Sequence, residues 1–219
     1  MPGVSAIQKP VEQQISFQSE NGAIQLEGRI VHQDNTKGIV ITHPHPLYGG
    51  DMDHPVVEAI TGVFQKKGYT TLRFNFRGVG RSQGTYDNGL GEQRDLSAAL
   101  ACLRSQGIAQ PGMAGYSFGA YVCYKLAAKK PDVENMLMVS PPVGLIAFCP
   151  QIATPCLRWV ITGSQDKDIA PAHIIRQLMP VWNPDACLNI IQGADHFYSG
   201  SFSALESSLN KCEFKNADD

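Results

Sequence analysis

Nowhere in the chain do eighteen apolar residues follow one another, so no membrane-spanning helix is expected. Residues Met1 to Lys9 hold no basic cluster followed by an apolar run, so no standard export signal is expected either. Charge of one sign is also missing. The formal net charge is -2 and the basic residues are scattered, without the electrostatic footprint of a nucleic-acid binder; Lys66-Lys67 and Lys129-Lys130 read as solvated helix ends. No Cys-x-x-Cys pair occurs among the six cysteines, at 102, 123, 149, 156, 187 and 212, and most of them lie in apolar segments. That pattern suits small buried hydrophobes in a reducing cytoplasm, with a Cys149–Cys156 bridge across a loop as the other reading. Finally, no Pro/Gly/Ser-rich linker divides the 219 residues. The expectation is one cytoplasmic domain over residues 1–219, able to bury roughly 70% of the surface its unfolded chain exposes without disulfide or metal.

What the chain does have is a regular alternation of strand and helix patterns. Ile24, Leu26, Gly28 and Ile30 alternate with polar residues, and Val11, Ile15 and Phe17 repeat the pattern more loosely before them. With Asn21-Gly22 as a turn signal, the two segments predict an antiparallel hairpin. Gly38 to Thr42 is instead a short continuous apolar run, as expected for a strand covered on both faces. Further strands are expected at Tyr69–Phe76, Met113–Tyr116, Met136–Ser140, Leu157–Thr162 and Leu188–Gln192. Helices are expected from a start at Asp53, with Pro55 close behind, to an end at Gly68, and over Glu92–Gln106, Ala120–Lys129, Pro171–Val181 and Phe202–Lys211. Strands alternating with helices give the α/β class, with a mostly parallel sheet covered on both faces.

Gly115-Tyr116-Ser117-Phe118-Gly119 places a serine between two glycines where a strand gives way to a helix. Such a turn strains the serine backbone and pushes its oxygen out of the sheet, and only glycine has no Cβ to clash with the neighbouring elements. Partners for the serine should lie just beyond the carboxyl ends of strands, where open α/β sheets bind ligands. His196 follows the last strand and can serve as a general base. An acid to orient it should come from the loop after Thr162, which offers Asp166 and Asp168; either could instead cap the following helix. Asp195 is discounted because side chains of consecutive residues diverge.

Two other loops tempt different readings. Arg77 to Gly84 is glycine-rich after a strand, but it lacks the third glycine of G-x-G-x-x-G at its offset and has no Gly-Lys-Ser/Thr, so it reads as a turn-rich connection and not a phosphate loop. His43-x-His45 with Asp51 and Asp53 looks like a metal ligand set. Proline on both sides of His45 makes that loop rigid and extended, and neither a Cys/His structural set nor His-Glu-x-x-His is present. No metal and no cofactor are expected.

These residues resemble the α/β-hydrolase superfamily over essentially the whole chain. His43-Pro44-His45-Pro46 with Gly49-Gly50, Phe74-Asn75-Phe76-Arg77-Gly78-Val79-Gly80-Arg81-Ser82 and Gly193-Ala194-Asp195-His196-Phe197 look more closely like small bacterial esterase-like hydrolases akin to dienelactone hydrolase. The serine sets the chain apart from dienelactone hydrolase proper, which uses a cysteine. The resemblance implies a Ser117, Asp166, His196 triad, since the family's acid commonly stands three residues after the glycine ending its strand. It also implies an oxyanion hole made by the amide of Phe118 and by that of His45 or Leu47, because Pro44 and Pro46 have no N–H. His43-Pro44 replaces the His-Gly of many hydrolases, and the second donor stays open. The implied activity is cleavage of a small-molecule carboxylic ester, with thioesterase, amidase, peptidase or non-catalytic binding as alternatives. Ser140 to Thr154 is too short and proline-broken for a helical cap, so no large cap domain is expected and a preference for short acyl groups follows, with Leu145, Ile146 and Phe148 as apolar contacts or as loop packing.

Overall fold

The apolar run Gly38–Thr42 is a strand buried at every position, with a parallel partner on each side. The structure, a computed structural model, describes residues 11–19, 22–33, 36–129, 132–133, 135–148 and 152–214; Asn21, Lys130 and Cys149 lie outside these. The strands are β1 (Gln13–Gln18), β2 (Gln25–Val31), β3 (Gly38–Thr42), β4 (Thr70–Phe74), β5 (Gly112–Tyr116), β6 (Met136–Val139), β7 (Leu157–Gly163) and β8 (Cys187–Ile191). They form one sheet in the order β1-β2-β4-β3-β5-β6-β7-β8. The amino-terminal hairpin pairs antiparallel, β2 joins β4 antiparallel, and every other pairing is parallel. The expected α/β architecture is what is found.

Among the described residues five α-helices cover the sheet: α1 (Pro55–Lys66), α2 (Leu90–Ser105), α3 (Phe118–Ala127), α4 (Ala172–Trp182) and α5 (Phe202–Asn210). Because strand side chains alternate between faces, Ile39 and Ile41 enter one layer and Val40 the other. The first layer is closed by Val56, Val57, Ile60 and Phe64 of α1 with Leu205 and Leu209 of α5. The second is closed by Leu96 and Leu100 of α2, Val122 and Leu126 of α3, and Ile175 and Trp182 of α4. Between β6 and β7 the described residues form turns and no helix. Among the described residues no helix is long and apolar enough to cross a membrane.

Local chemistry explains where elements depart from expectation. Helix α2 starts at Leu90, earlier than Glu92, because the Glu92 carboxylate accepts the N–H of Asp87 at 2.8 Å and of Gly89 at 2.7 Å, satisfying donors that a helix start leaves open. Strand β4 stops at Phe74 because, although the Asn75 N–H still reaches the Glu27 carbonyl, the Ser82 hydroxyl inserts into the ladder, accepting the Glu27 N–H at 3.0 Å and donating to the Asn75 carbonyl at 2.7 Å. Lys67 is not a solvated helix end. Its ammonium donates to the carbonyls of Leu209 (3.0 Å) and Cys212 (2.6 Å), closing the carboxyl end of α5. Phe148 is loop packing, with its ring against Tyr124 and Trp182 at 4.9 and 5.5 Å, whereas Leu145 is exposed.

The Arg77 to Gly84 loop is tied down by carboxylates, which would repel a phosphate. Arg77 holds the buried Asp95 through Nε (3.0 Å) and Nη2 (2.7 Å), and its own amide donates to the same carboxylate. Gly91 is required beside this pair, since a Cβ there would lie 2.2 Å from the guanidinium. Glu27 accepts from Asn75 Nδ2 (2.8 Å) and from the Arg81 amide and Nε.

Candidate active site

The sequence places a serine directly between β5 and α3, and no regular backbone can make that transition in one residue. Ser117 sits at φ 53° and ψ -119°, outside the helical and strand regions. Its flanking glycines are demanded by contact. A Cβ on Gly115 would lie 2.4 Å from the Gly119 carbonyl carbon, and one on Gly119 would lie 2.6 Å from Thr42 Oγ1 and 2.7 Å from the His43 carbonyl oxygen. This close approach lets α3 start at the sheet's carboxyl edge and exposes the first turn's N–H groups there.

The loops after β7 and β8 bring two more side chains to that edge. His196 Nε2 stands 3.0 Å from Ser117 Oγ, and its Nδ1 stands 2.5 Å from Asp166 Oδ2. The other Asp166 oxygen, Oδ1, accepts the Ala170 N–H at 2.9 Å, so the carboxylate is clamped from both sides just ahead of α4. All three side chains are buried. Asp168 is exposed and away from this line, and Asp195 accepts the Ser199 N–H at 2.9 Å within its own turn. Gly163 is again a matter of contact, because a Cβ there would lie 2.2 Å from the Ala194 carbonyl oxygen.

The amides of Phe118 and His45 have no hydrogen-bond partner among the described residues. Leu47 is the other loop residue that the sequence left open. Its N–H donates to His45 Nδ1 at 3.2 Å, because the imidazole folds back over the 3-10 turn Pro46–Tyr48. That leaves His45 as the loop residue with an open amide. The ring of His45 lies 4.8 Å from Phe118, 4.8 Å from Tyr48 and 5.0 Å from Tyr86, forming an aromatic wall beside the serine.

The residues of the supposed metal set are all committed elsewhere. His43 Nδ1–H donates to the Pro44 carbonyl (2.7 Å), and its Nε2 accepts the Phe76 N–H (3.0 Å). Burial pushes its pKa down to about 3 and holds it neutral. Asp53 pairs with Arg73 at 2.7 Å and Arg29 at 3.1 Å, and Asp51 accepts the Asp53 N–H. Among the described residues no three His, Cys, Asp or Glu side chains converge as a metal needs.

Sequence reasoning missed the groups that hold the histidine loop. Tyr116 Oη donates to the His196 carbonyl at 3.0 Å, and Tyr198 Oη lies 2.8 Å from Ser140 Oγ; all four residues are buried. The signal was available in outline: Tyr116 is inside the elbow and Tyr198 two residues beyond the histidine, and buried tyrosine hydroxyls need partners.

Against known proteins, the sequence profile of the X-Pro dipeptidyl-peptidase (S15) family matches residues 12–150. An uncharacterised protein of Rickettsia prowazekii is 33% identical over 206 residues, covering 90% of this chain and 87% of its own. The structure of an alpha-beta serine hydrolase homologue from Coxiella burnetii superposes with a TM-score of 0.80 at 32% identity, covering 94% of this chain and 99% of that one. A serine hydrolase from Xanthomonas campestris, described as without lid, superposes with a TM-score of 0.81 at 26% identity, covering 94% of each chain. With its sheet order and serine elbow, the chain is a hydrolase of the α/β-hydrolase superfamily and belongs within it to the S15 family.

Proposed function

We propose that this chain hydrolyses small or short-acyl carboxylic esters through an acyl-enzyme formed on Ser117. The observation that carries the reading is the unbroken line from Ser117 Oγ through His196 to Asp166, at 3.0 and 2.5 Å. Ser117 attacks the carbonyl carbon while His196 Nε2 takes its proton, and the Asp166 carboxylate holds the imidazolium through Nδ1–H. Negative charge then gathers on the carbonyl oxygen, and the open amides of Phe118 and His45 receive it. His196 returns the proton to the departing alkoxide. Water, deprotonated by the same nitrogen, attacks the acyl carbon and releases the acid. A binding protein that merely kept the fold would have no need of this line.

Short acyl groups follow from the connection after β6, whose described residues form no helix, and accord with the Xanthomonas relative being described as without lid. An open site buries little of a long chain, and each methylene is worth about 0.8 kcal/mol only when buried. One observation favours a second reading: the profile that matches this chain is that of the X-Pro dipeptidyl-peptidase family. Amide cleavage asks more of the histidine, because a departing amine must be protonated as it leaves.

A panel of p-nitrophenyl esters of increasing acyl length, matched thioesters, simple amides and an X-Pro dipeptide p-nitroanilide, run on wild type and Ser117→Ala, tests the proposal. Short esters should be turned over most efficiently and by wild type only. Faster cleavage of the X-Pro anilide, or efficiency still rising well beyond eight carbons, would contradict it.

A further inference from the structure

The side chains of His45 and Tyr86 are not used by the acyl-transfer steps, yet they stand beside the amides proposed to receive the oxyanion. Their hydrogen bonds fix where each proton lies. His45 Nδ1 accepts the Leu47 N–H at 3.2 Å, so this nitrogen carries no proton. Burial lowers the His45 pKa and favours the neutral ring, whose single proton must then be on Nε2. The contact of 3.1 Å between Nε2 and Tyr86 Oη is therefore Nε2–H donating to the phenol oxygen.

The consequence is a hydroxyl proton with no acceptor among the described residues. Tyr86 is half-buried, and burial followed by the nearby Glu92 carboxylate raises its pKa, so the phenol keeps that proton. Its ring packs 5.0 Å from His45 and 5.8 Å from Phe118, the two residues whose amides are open. A donor whose oxygen is held by one neighbour, with its proton free to turn away from the protein beside a reaction centre, is placed to meet an acceptor that arrives with the substrate.

We propose that Tyr86 is a specificity residue whose hydroxyl donates a hydrogen bond to a second oxygen of the substrate, so that the preferred esters carry an ether, hydroxyl or carbonyl oxygen close to the scissile carbonyl. His45 acts through Tyr86 as its positioning residue. The inference rests on the ester-hydrolase reading above. A site built around a polar contact discriminates against the analogue lacking it, because the protein's own group is then left unpaired.

Two isosteric pairs test it: methoxyacetyl against butanoyl p-nitrophenyl esters for the acyl side, and methoxyethyl against butyl acetate for the alcohol side. Each is assayed with wild type and Tyr86→Phe, and the quantity read is the wild-type to variant ratio of kcat/KM. Intrinsic reactivity of each ester cancels in that ratio. The proposal predicts that the ratio for the oxygen-bearing member of one pair exceeds that of its hydrocarbon partner by about 3- to 10-fold. Which pair responds tells which side of the ester Tyr86 reads. Equal ratios within both pairs overturn the proposal, whether the variant loses activity uniformly, as a packing role would give, or not at all. Ser117→Ala is run alongside. Loss of all four activities in that variant, together with equal Tyr86→Phe ratios, rejects the role of Tyr86 alone, whereas an active Ser117→Ala rejects the hydrolase mechanism itself.

Discussion

His43 and His196 are both buried, and both stand just beyond the carboxyl end of a parallel strand, β3 in one case and β8 in the other. They differ in what their nitrogens face. The two nitrogens of His43 meet a main-chain carbonyl and a main-chain N–H, at 2.7 and 3.0 Å. Neither partner can compensate a charge on the ring or exchange a proton, and burial then drives the pKa down to about 3. His196 meets a carboxylate on one side and a serine hydroxyl on the other, at 2.5 and 3.0 Å. In the proposed mechanism one partner stabilises the imidazolium and the other supplies the proton that forms it. Residue type and position on the sheet are shared, so the chemistry is set by whether the partners can carry charge.

Breaking the reactive member should have the largest effect. Ser117→Ala or His196→Ala is expected to cut kcat on a short ester by about a millionfold, each alone costing nearly as much as both together. Steady-state kinetics on the single and double variants checks this; multiplicative losses would mean that the two do not work as a unit.

The acid can be sharpened next. Asp166→Asn should present His196 in the wrong tautomer and lower kcat about ten-thousandfold, while Asp168→Asn, changing an exposed side chain, should leave kcat near wild type. Matched kinetics with the reverse ranking would place the acid at Asp168.

The structural histidine should register in stability and not in chemistry. His43 is held below its ordinary value in the folded protein, so as pH falls through about 6.5 the unfolded chain takes up a proton that the folded chain refuses until about pH 3. Stability contributed by the neutral, buried ring is therefore full above about pH 6.5 and lost on the way down, by on the order of 1 kcal/mol per pH unit. Burial shifts His45 and His54 in the same direction, and their losses add to the slope. Urea unfolding at pH 7 and pH 5 should show a flatter dependence for His43→Gln than for wild type. An unchanged slope, or a His43→Gln variant that folds but has lost its ester hydrolysis, would erase the distinction between the two histidines.

Much of this was legible in the residues, for identifiable reasons. The run Gly38–Thr42 reads as a doubly covered strand, and Ser117 and His196 follow the ends of β5 and β8, whereas the choice of Asp166 over Asp168 after β7 came from the family resemblance. Strand β5 was harder, because its glycines weaken strand propensity while serving a contact invisible in the sequence: Gly115 must admit the Gly119 backbone. Which loop amide is left open could not be read at all. It depends on the His45 ring turning back to take the Leu47 N–H, a choice made by side-chain rotation within one loop. Lys67 was misread for a similar reason, since its carbonyl acceptors at Leu209 and Cys212 lie far along the chain. Periodicity reports elements and their faces; long-range contacts of single polar atoms leave no periodic trace.

The central claim is that Ser117 is the nucleophile made reactive by His196, and covalent labelling addresses it most directly. The protein is treated with a fluorophosphonate, digested, and its adduct located by mass spectrometry in wild type, Ser117→Ala and His43→Gln. The account predicts a single adduct on Ser117 in wild type, none in Ser117→Ala, and the same Ser117 adduct in folded His43→Gln. An adduct on a different serine, persisting in Ser117→Ala with ester hydrolysis intact, would contradict it.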